Sequence, residues 1–466
     1  MTEEYDRRTL IKTAGGAAVG TALAGCTRGG GQGANNETNS PPDELVIPLS
    51  KYDADIDWKQ FKGSTINIGA VQHPWVSAIK PAVPVFEKLT GIDVIWNILP
   101  EQQFRTKRLT DVSTGAGKFD VFFMDQVVNQ FRQANWLQTL DTYFADDSLY
   151  DENWYRPNDI FEAARWQAHG GGYTDRWTGI PITVEVQTQF YRKDLYKKHG
   201  LSVAETLEGF VENAKTIHEN ESNIVGTVGR GQKGYGMNIY ILNTFLREFG
   251  GQLWTNYPNN SGLDTKATKT AAKWYVNLLQ QYGPQGAASQ TWSDVLSTMQ
   301  SGRAGHIVSD ANLFWPGLTD PEASDVADTV GITKTPAPSD GQFAPNAYTW
   351  QLSTSKNAQH SKEGFLFMLW ASSQPTNRWM HLNRDAAFSV RQTVWGNSEF
   401  RSRVGDEFAS VSLKSLKSAS PDPFDPKYPT WGQKYSEELQ TAIGGSQSPT
   451  KAMTKAAKLA EESYTV

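Results

Sequence analysis

The chain runs to 466 residues with a net charge of −6, 20% charged and 38% hydrophobic residues, enough for roughly two to three domains with cores of their own. Its pI near 5.7 shows none of the basic excess that marks nucleic-acid binders. One Cys and 7 His exclude an intrachain disulfide and a multi-cysteine zinc site, and His218-Glu219 lacks the second His of a metalloprotease pair. The 16 Trp, 17 Tyr and 21 Phe supply rings for binding surfaces, although cores consume most aromatics.

The N-terminus, DRRTLIKTAGGAAVGTALAGC from Asp6 to Cys26, reads as an address. Arg7 and Arg8 form a twin-arginine n-region. The stretch Leu10 to Leu23 is too short and too rich in Gly and Ala for a membrane span, which needs about 20 apolar residues. Leu23-Ala24-Gly25-Cys26 resembles a prokaryotic lipobox, in which the thiol is lipidated and becomes the new N-terminus. Removing residues 1–25 deletes Arg7, Arg8 and Lys12 along with Glu3, Glu4 and Asp6, so the charge stays at −6. Thr27 to Asp43 is mostly Gly, Asn, Ser, Thr, Gln and Pro, with little to bury, and is expected to be disordered. The reading is therefore a signal peptide over 1–25, a lipid-anchored flexible linker over 26–61, and an exported body at the outer face of the cell membrane.

The body opens as α/β. STINIGAV (Ser64–Val71) alternates as a strand, and AIKPAVPVFEKLTG (Ala78–Gly91) reads as a helix stopped by Gly91. Ile92–Leu99 is a second strand, Gln103–Gly115 a second helix and Phe119–Asp125 a third strand. This alternation implies a parallel sheet flanked by helices, with ligands at the carboxyl ends of strands. That rule singles out His73 and Trp75 after the first strand, and Asp125 and Gln126 after the third.

Further along, WTGIPITVEVQTQFYRKDLYKKHGL (Trp177–Leu201), MQSGRAGHIVSDANLFW (Met299–Trp315) and AYTWQLSTSKNAQHSKEGFLFMLWASSQPTNRWM (Ala347–Met380) follow in order. With FDVFFMDQVVNQFRQANWLQTLD before them, they resemble the family 1 extracellular solute-binding proteins of ABC importers. Arg192 stands where that family often has Asn, and His306 where it usually has Met. The resemblance implies a two-lobe periplasmic-binding-protein-like fold of type II. Each lobe is a β-sheet flanked by helices, and the ligand cleft lies between them. Lobe 1 would span 64–183 with 346–384, and lobe 2 would span 184–345 with 385–466. Crossings are expected near Ile182–Glu185, Pro345–Tyr348 and Phe388–Val394. The implied partners are a sugar and the permease subunits, with the membrane reached through the lipid anchor alone, no nucleic acid and no cofactor, and the protein acting as a monomer.

A sugar offers C–H faces that stack on rings and hydroxyls that need planar donors and acceptors. Loops mixing the two supply the candidates: His73 and Trp75; Asp125 and Gln126; Glu185; Tyr235 and Asn238; Asp310, Asn312 and Trp315; Tyr348 and Trp350; and Arg391. Trp75, Trp315 and Trp350 serve equally well as core rings, Asp310 and Asp125 as helix caps, and Asn238 as a helix-start residue. Glu185 stands out as an acid inside an apolar run, and it matches the family's hinge-region glutamate.

Gly229-Arg230-Gly231-Gln232-Lys233-Gly234 spells a formal G-x-G-x-x-G. Its position deep in the second lobe argues for a flexible cleft loop rather than a dinucleotide site. No G-x-S-x-G occurs, so a serine-hydrolase elbow is unsupported. Carbohydrate capture leads. Another solute (a polyol phosphate, a polyamine or a peptide) would need a different cleft, basic for a phosphate ester, for which Arg230, Lys233 and Arg391 are available. An exported glycoside hydrolase would need a carboxylate pair about 5–9 Å apart.

Overall fold

The computed structural model describes residues 45–465 apart from 173, 235, 423 and 424. The leader, Cys26, the linker to Asp43 and Tyr235 lie outside the described residues. Strands β1 (Thr65–Val71), β2 (Asp93–Leu99) and β3 (Val121–Met124) form the parallel start of the sheet, within a few residues of the bounds that alternation predicts. The helix expected over 78–91 breaks into α1 (Pro74–Ile79), a 3-10 turn at Lys80–Ala82, and α2 (Val83–Thr90). Pro81 and Pro84 cause the break, because neither can donate to a preceding carbonyl. Gly91 ends α2 in the left-handed region, at φ 75°. Helix α3 (Glu101–Thr114) then returns the chain to β3.

The sheet order is β2-β1-β3-β7-β4-β5, where β4 is Ile180–Arg192, β5 is His306–Ala311 and β7 is Asn346–Ser353; β6 (Val330–Thr333) pairs with the far end of β4. β7 runs antiparallel to β3 and to β4. β4 pairs with β7 through Val186, then with β5 from Gln187 and with β6 from Gln189. One strand thus belongs to lobe 1 in its first half and to lobe 2 in its second. It is buried along all but its last residue, the polar Thr183, Glu185, Gln187, Thr188 and Gln189 included. Asn312 ties a third crossing to it: Val186 N–H donates to Asn312 Oδ1 at 3.1 Å, and Asn312 Nδ2 donates to the Ala387 carbonyl at 3.3 Å.

In lobe 2, α4 (Asn238–Glu248) packs on α5 (Lys266–Tyr282) and on α7 (Tyr428–Ile443), with α8 (Pro449–Glu462) laid against α5 and α7. In lobe 1, α6 (Ser361–Ser372) covers β3. The segment from residue 45 is not linker: Ile47, Tyr52 and Trp58 are buried, and Tyr52 hydroxyl meets Thr376 Oγ1 at 2.8 Å. These apolar side chains anchor what a reading of composition had placed in the flexible span 26–61. No helix among the described residues is long and apolar enough to cross a membrane.

Trp75 shows how the core takes up a residue that stands beside the cleft. It is fully buried on the inner face of α1, with its ring 5.5 Å from Phe123 and 6.5 Å from Trp96. Trp75→Ala is expected to destabilise the protein by about 3–5 kcal/mol, read as a lower urea midpoint at unchanged m-value. A change below experimental error would show that the ring is not a core element.

Candidate ligand-binding site

The cleft between the lobes holds about 530 Å³ of unfilled space, its mouth included. Lobe 1 contributes the loop after β1, from Val71 to Pro74, and Glu101 at the start of α3. Lobe 2 contributes Arg230, Gly236, Tyr240, Trp292 and Phe314. The hinge strands contribute Glu185, Tyr348 and Trp350. Glu185 and Tyr348 are cross-strand partners, as are Thr183 and Trp350, so the alternation of the pleat places Glu185, Tyr348 and Trp350 on one face.

His73 caps α1, its Nδ1 accepting from Trp75 N–H at 3.0 Å. That bond fixes the tautomer, so Nε2 carries the proton and donates to Glu185 Oε1 at 3.1 Å. The Glu185 carboxylate is thereby oriented, and its Oε2 makes no hydrogen bond to the described residues. Opposite stands Arg230, whose Nε donates to Asp310 Oδ2 at 3.0 Å, with Nη2 on Oδ1 and Nη1 on the Gly236 carbonyl at 2.8 Å. Burial works against the charge of Arg230, but Asp310 outweighs it and holds the guanidinium protonated. Arg230 also lies over the Tyr240 ring at 4.9 Å.

Behind the cleft, Asp125 is wholly buried between Arg105 (2.7 Å) and Arg108 (3.4 Å) and accepts from the Tyr348 hydroxyl at 3.2 Å. Burial pushes its carboxyl up, but the two guanidinium groups prevail and hold it below the ordinary carboxylate range. It supports Tyr348 from beneath and does not line the cavity.

The other candidates separate by what they touch. Trp315 is a core ring of lobe 2, stacked on Phe408 at 5.4 Å and donating to the Val404 carbonyl at 2.7 Å. Asp310 lies within β5 instead of capping a helix, committed to Arg230. Asn238 opens α4, where it donates to the Gly231 and Ser436 carbonyls. Gln126 reaches toward Asp422 at 3.4 Å, and Asn312 stitches the crossings. Arg391 is buried away from the cleft, held by the carbonyls of Tyr155, Arg156 and Ser372. His73, Glu185, Tyr348 and Trp350 do line the cavity. Sequence reasoning passed over Arg105, Tyr240, Trp292 and Phe314, which spacing along the chain does not distinguish from core or surface residues.

The glycine-rich run has a packing role. A Cβ on Gly231 would fall 1.9 Å from the Ala287 carbonyl oxygen, and one on Gly229 would fall 2.8 Å from the Tyr275 hydroxyl. These glycines admit close backbone packing that aims Arg230, whereas Gly236 lines the cleft. His306, the other departure from the family pattern, is buried against Tyr196, which it meets at 2.6 Å through Nε2. Among the described residues, no cluster of three or more His, Cys, Asp or Glu is placed to hold a metal ion.

Comparison with known proteins identifies the family. The family model described as bacterial extracellular solute-binding protein matches residues 70–377. An erythritol/L-threitol-binding protein of Mycolicibacterium smegmatis is 25% identical over 474 residues, covering 97% of this chain and 95% of its own. A mannitol-binding protein of Pseudomonas aeruginosa is 26% identical over 393 residues, covering 83% of each. A crystal structure of an ABC transporter solute-binding protein from Agrobacterium vitis S4, with bound D-mannitol, superposes with a TM-score of 0.74 at 25% identity. It covers 86% of this chain and 98% of its own.

The Asp125 cluster sets an acid limit. A carboxyl held low in the folded state contributes stability above its unfolded pKa, near 3.9, and loses it as pH falls through the lower folded value. Asp125→Asn should therefore be most costly at neutral pH, and the gap to wild type in urea unfolding should narrow below about pH 4. A gap that stays constant down to the acid transition would contradict this.

Proposed function

The chain belongs to the bacterial extracellular solute-binding protein family, and from that premise we propose that it captures a small uncharged carbohydrate, an alditol or a monosaccharide, for delivery to an ABC importer. One observation carries the reading. The rings of Tyr348, Trp350 and Trp292 line the same cavity as the open carboxylate oxygen of Glu185, while each cation there is already matched by a partner. Ring faces suit C–H surfaces, and oriented carboxylate and guanidinium groups suit hydroxyls. A phosphate ester finds no uncommitted cation among the three residues that could have made a basic cleft. Arg230 is paired with Asp310, Lys233 with Glu437 at 3.2 Å, and Arg391 is buried elsewhere. The names and ligands of the polyol-binding relatives support the same class.

The protein releases its ligand unchanged. It acts as a monomer, tethered through a lipid on Cys26, and the succession of twin arginine, apolar stretch and lipobox-like Leu23-Ala24-Gly25-Cys26 supports the tether. A closing cleft would exclude water and present both lobes to the permease.

Titration calorimetry with erythritol, ribitol, mannitol and glucose should show saturable binding to at least one, and the ligand should be recovered chemically intact. Glu185→Ala should weaken that binding by about 1–3 kcal/mol. Flat heats across the panel would overturn the carbohydrate reading, and a cleaved or altered product would overturn the non-catalytic one. Separately, Cys26→Ala should move the protein from the membrane fraction to the soluble fraction and abolish lipid labelling. Unchanged fractionation with unchanged labelling would remove the anchor.

A further inference from the structure

We propose that the Glu101–Arg105 pair, with Gly236 facing it, forms the end wall of the ligand chamber and limits the length of carbohydrate the protein accepts. The proposal rests on the carbohydrate reading above. Arg105 sits one turn into α3 and donates to Glu101 Oε1 from Nε at 3.2 Å and from Nη2 at 2.7 Å. Its Nη1 pairs with Asp125 at 2.7 Å, and Nη2 also reaches the Tyr348 hydroxyl at 3.2 Å. A planar fork satisfies two carboxylates and a phenol at once, which an ammonium group cannot do in this arrangement. From lobe 2, Gly236 faces the pair across a space that would just take a Cβ. A Cβ there would lie 3.8 Å from the Tyr348 ring edge and hydroxyl and 3.9 Å from Arg105 Nη2. Lobe 1, lobe 2 and the hinge strand therefore meet at one partition.

Space continues beyond it. A second cavity of about 770 Å³, open mouth included, shares Glu101 and Gly236 with the chamber and has Arg105 in its own lining. Its remaining lining includes the carboxamides of Gln102, Gln232 and Gln433. The Gln102 and Gln232 side chains hydrogen-bond none of the described residues, so their donors and acceptors remain available to hydroxyls. An alditol that ends at the wall leaves Arg105 in place. A ligand carrying one more sugar ring has to displace the guanidinium from buried Asp125, which leaves an under-compensated charge. The wall thus rejects length by an unfavourable contact instead of by a missing favourable one.

The test compares C4–C6 alditols with maltitol and lactitol, alditols that carry one extra sugar ring, by titration calorimetry. Wild type should bind its best short alditol at least about 100-fold more tightly than either glycoside. Arg105→Ala should narrow that ratio at least about tenfold, through tighter glycoside binding together with weaker alditol binding. Glu101→Ala leaves Arg105 on Asp125 and so keeps the buried pair; it should shift the ratio in the same direction by less. Adding Gln102→Ala to Arg105→Ala should reverse part of the gain. Wild-type affinities for hexitol and glycoside within a few-fold of each other would overturn the wall, as would an unchanged ratio in Glu101→Ala with unaltered thermal unfolding. Binding of short alditols with no length discrimination defeats the wall alone, whereas binding of nothing in the panel defeats the carbohydrate reading and the wall together.

Discussion

The structure depends on a strand that has to satisfy its backbone in two lobes. β4 is buried on both faces, so each of its amide groups and polar side chains needs a partner, at a cost of about 1–3 kcal/mol for each one left without. β7 supplies the pairing through Val186, and β5 and β6 take over from Gln187. The side chains of the changeover are just as constrained. Gln187 Nε2 donates to the Tyr240 carbonyl at 2.7 Å, and its Oε1 accepts from Ser309 at 3.0 Å and from Thr244. Two residues earlier, Glu185 is aimed by His73 of lobe 1. The place where the lobes exchange a strand is therefore also the floor of the cleft.

The charges follow from the same burial. A lone ion in this environment would be strongly penalised, and a pair persists only with good geometry and further hydrogen bonds. Arg230–Asp310 and Arg105–Asp125–Arg108 meet that condition, with bidentate contacts or a second cation and a phenol. Such pairs add little net stability, but they hold planar donor groups in fixed directions. A cleft built from committed charges suits hydroxyls and repays a phosphate poorly.

Sequence patterns located the elements more faithfully than the side chains. The alternation of β1 to β3 and the Gly91 stop are local properties, legible from periodicity and backbone freedom, and the rule for carboxyl ends of strands led to the loop holding His73. It could not say that Trp75, two residues on, turns inward, because its ring packs on Phe123 and Trp96, which lie on other strands. Trp315 lies between Phe190 and Phe408, Asp310 meets an arginine 80 positions earlier, and Arg391 bonds carbonyls more than 230 positions away. Those partners are set by topology, and no window of sequence contains them. Arg105 went unnoticed for the converse reason. On a mostly polar helix it reads as a solvated cation, and burial beneath Tyr348 gives it a different role.

The arrangement couples capture to the relation between the lobes. Glu185 belongs to the shared strand, His73 to lobe 1, and Arg230, Tyr240 and Phe314 to lobe 2, so a solute reaching all of them makes contacts that exist together only when the lobes face each other closely. A ligand shifts a conformational equilibrium by its differential affinity for the two states and by nothing else. A solute held by lobe 1 alone would leave that equilibrium untouched however tightly it bound. Gly236 sharpens the requirement. From lobe 2 its backbone faces Tyr348 and Arg105 across a space that a Cβ would just fill, so both lobes border this end of the chamber.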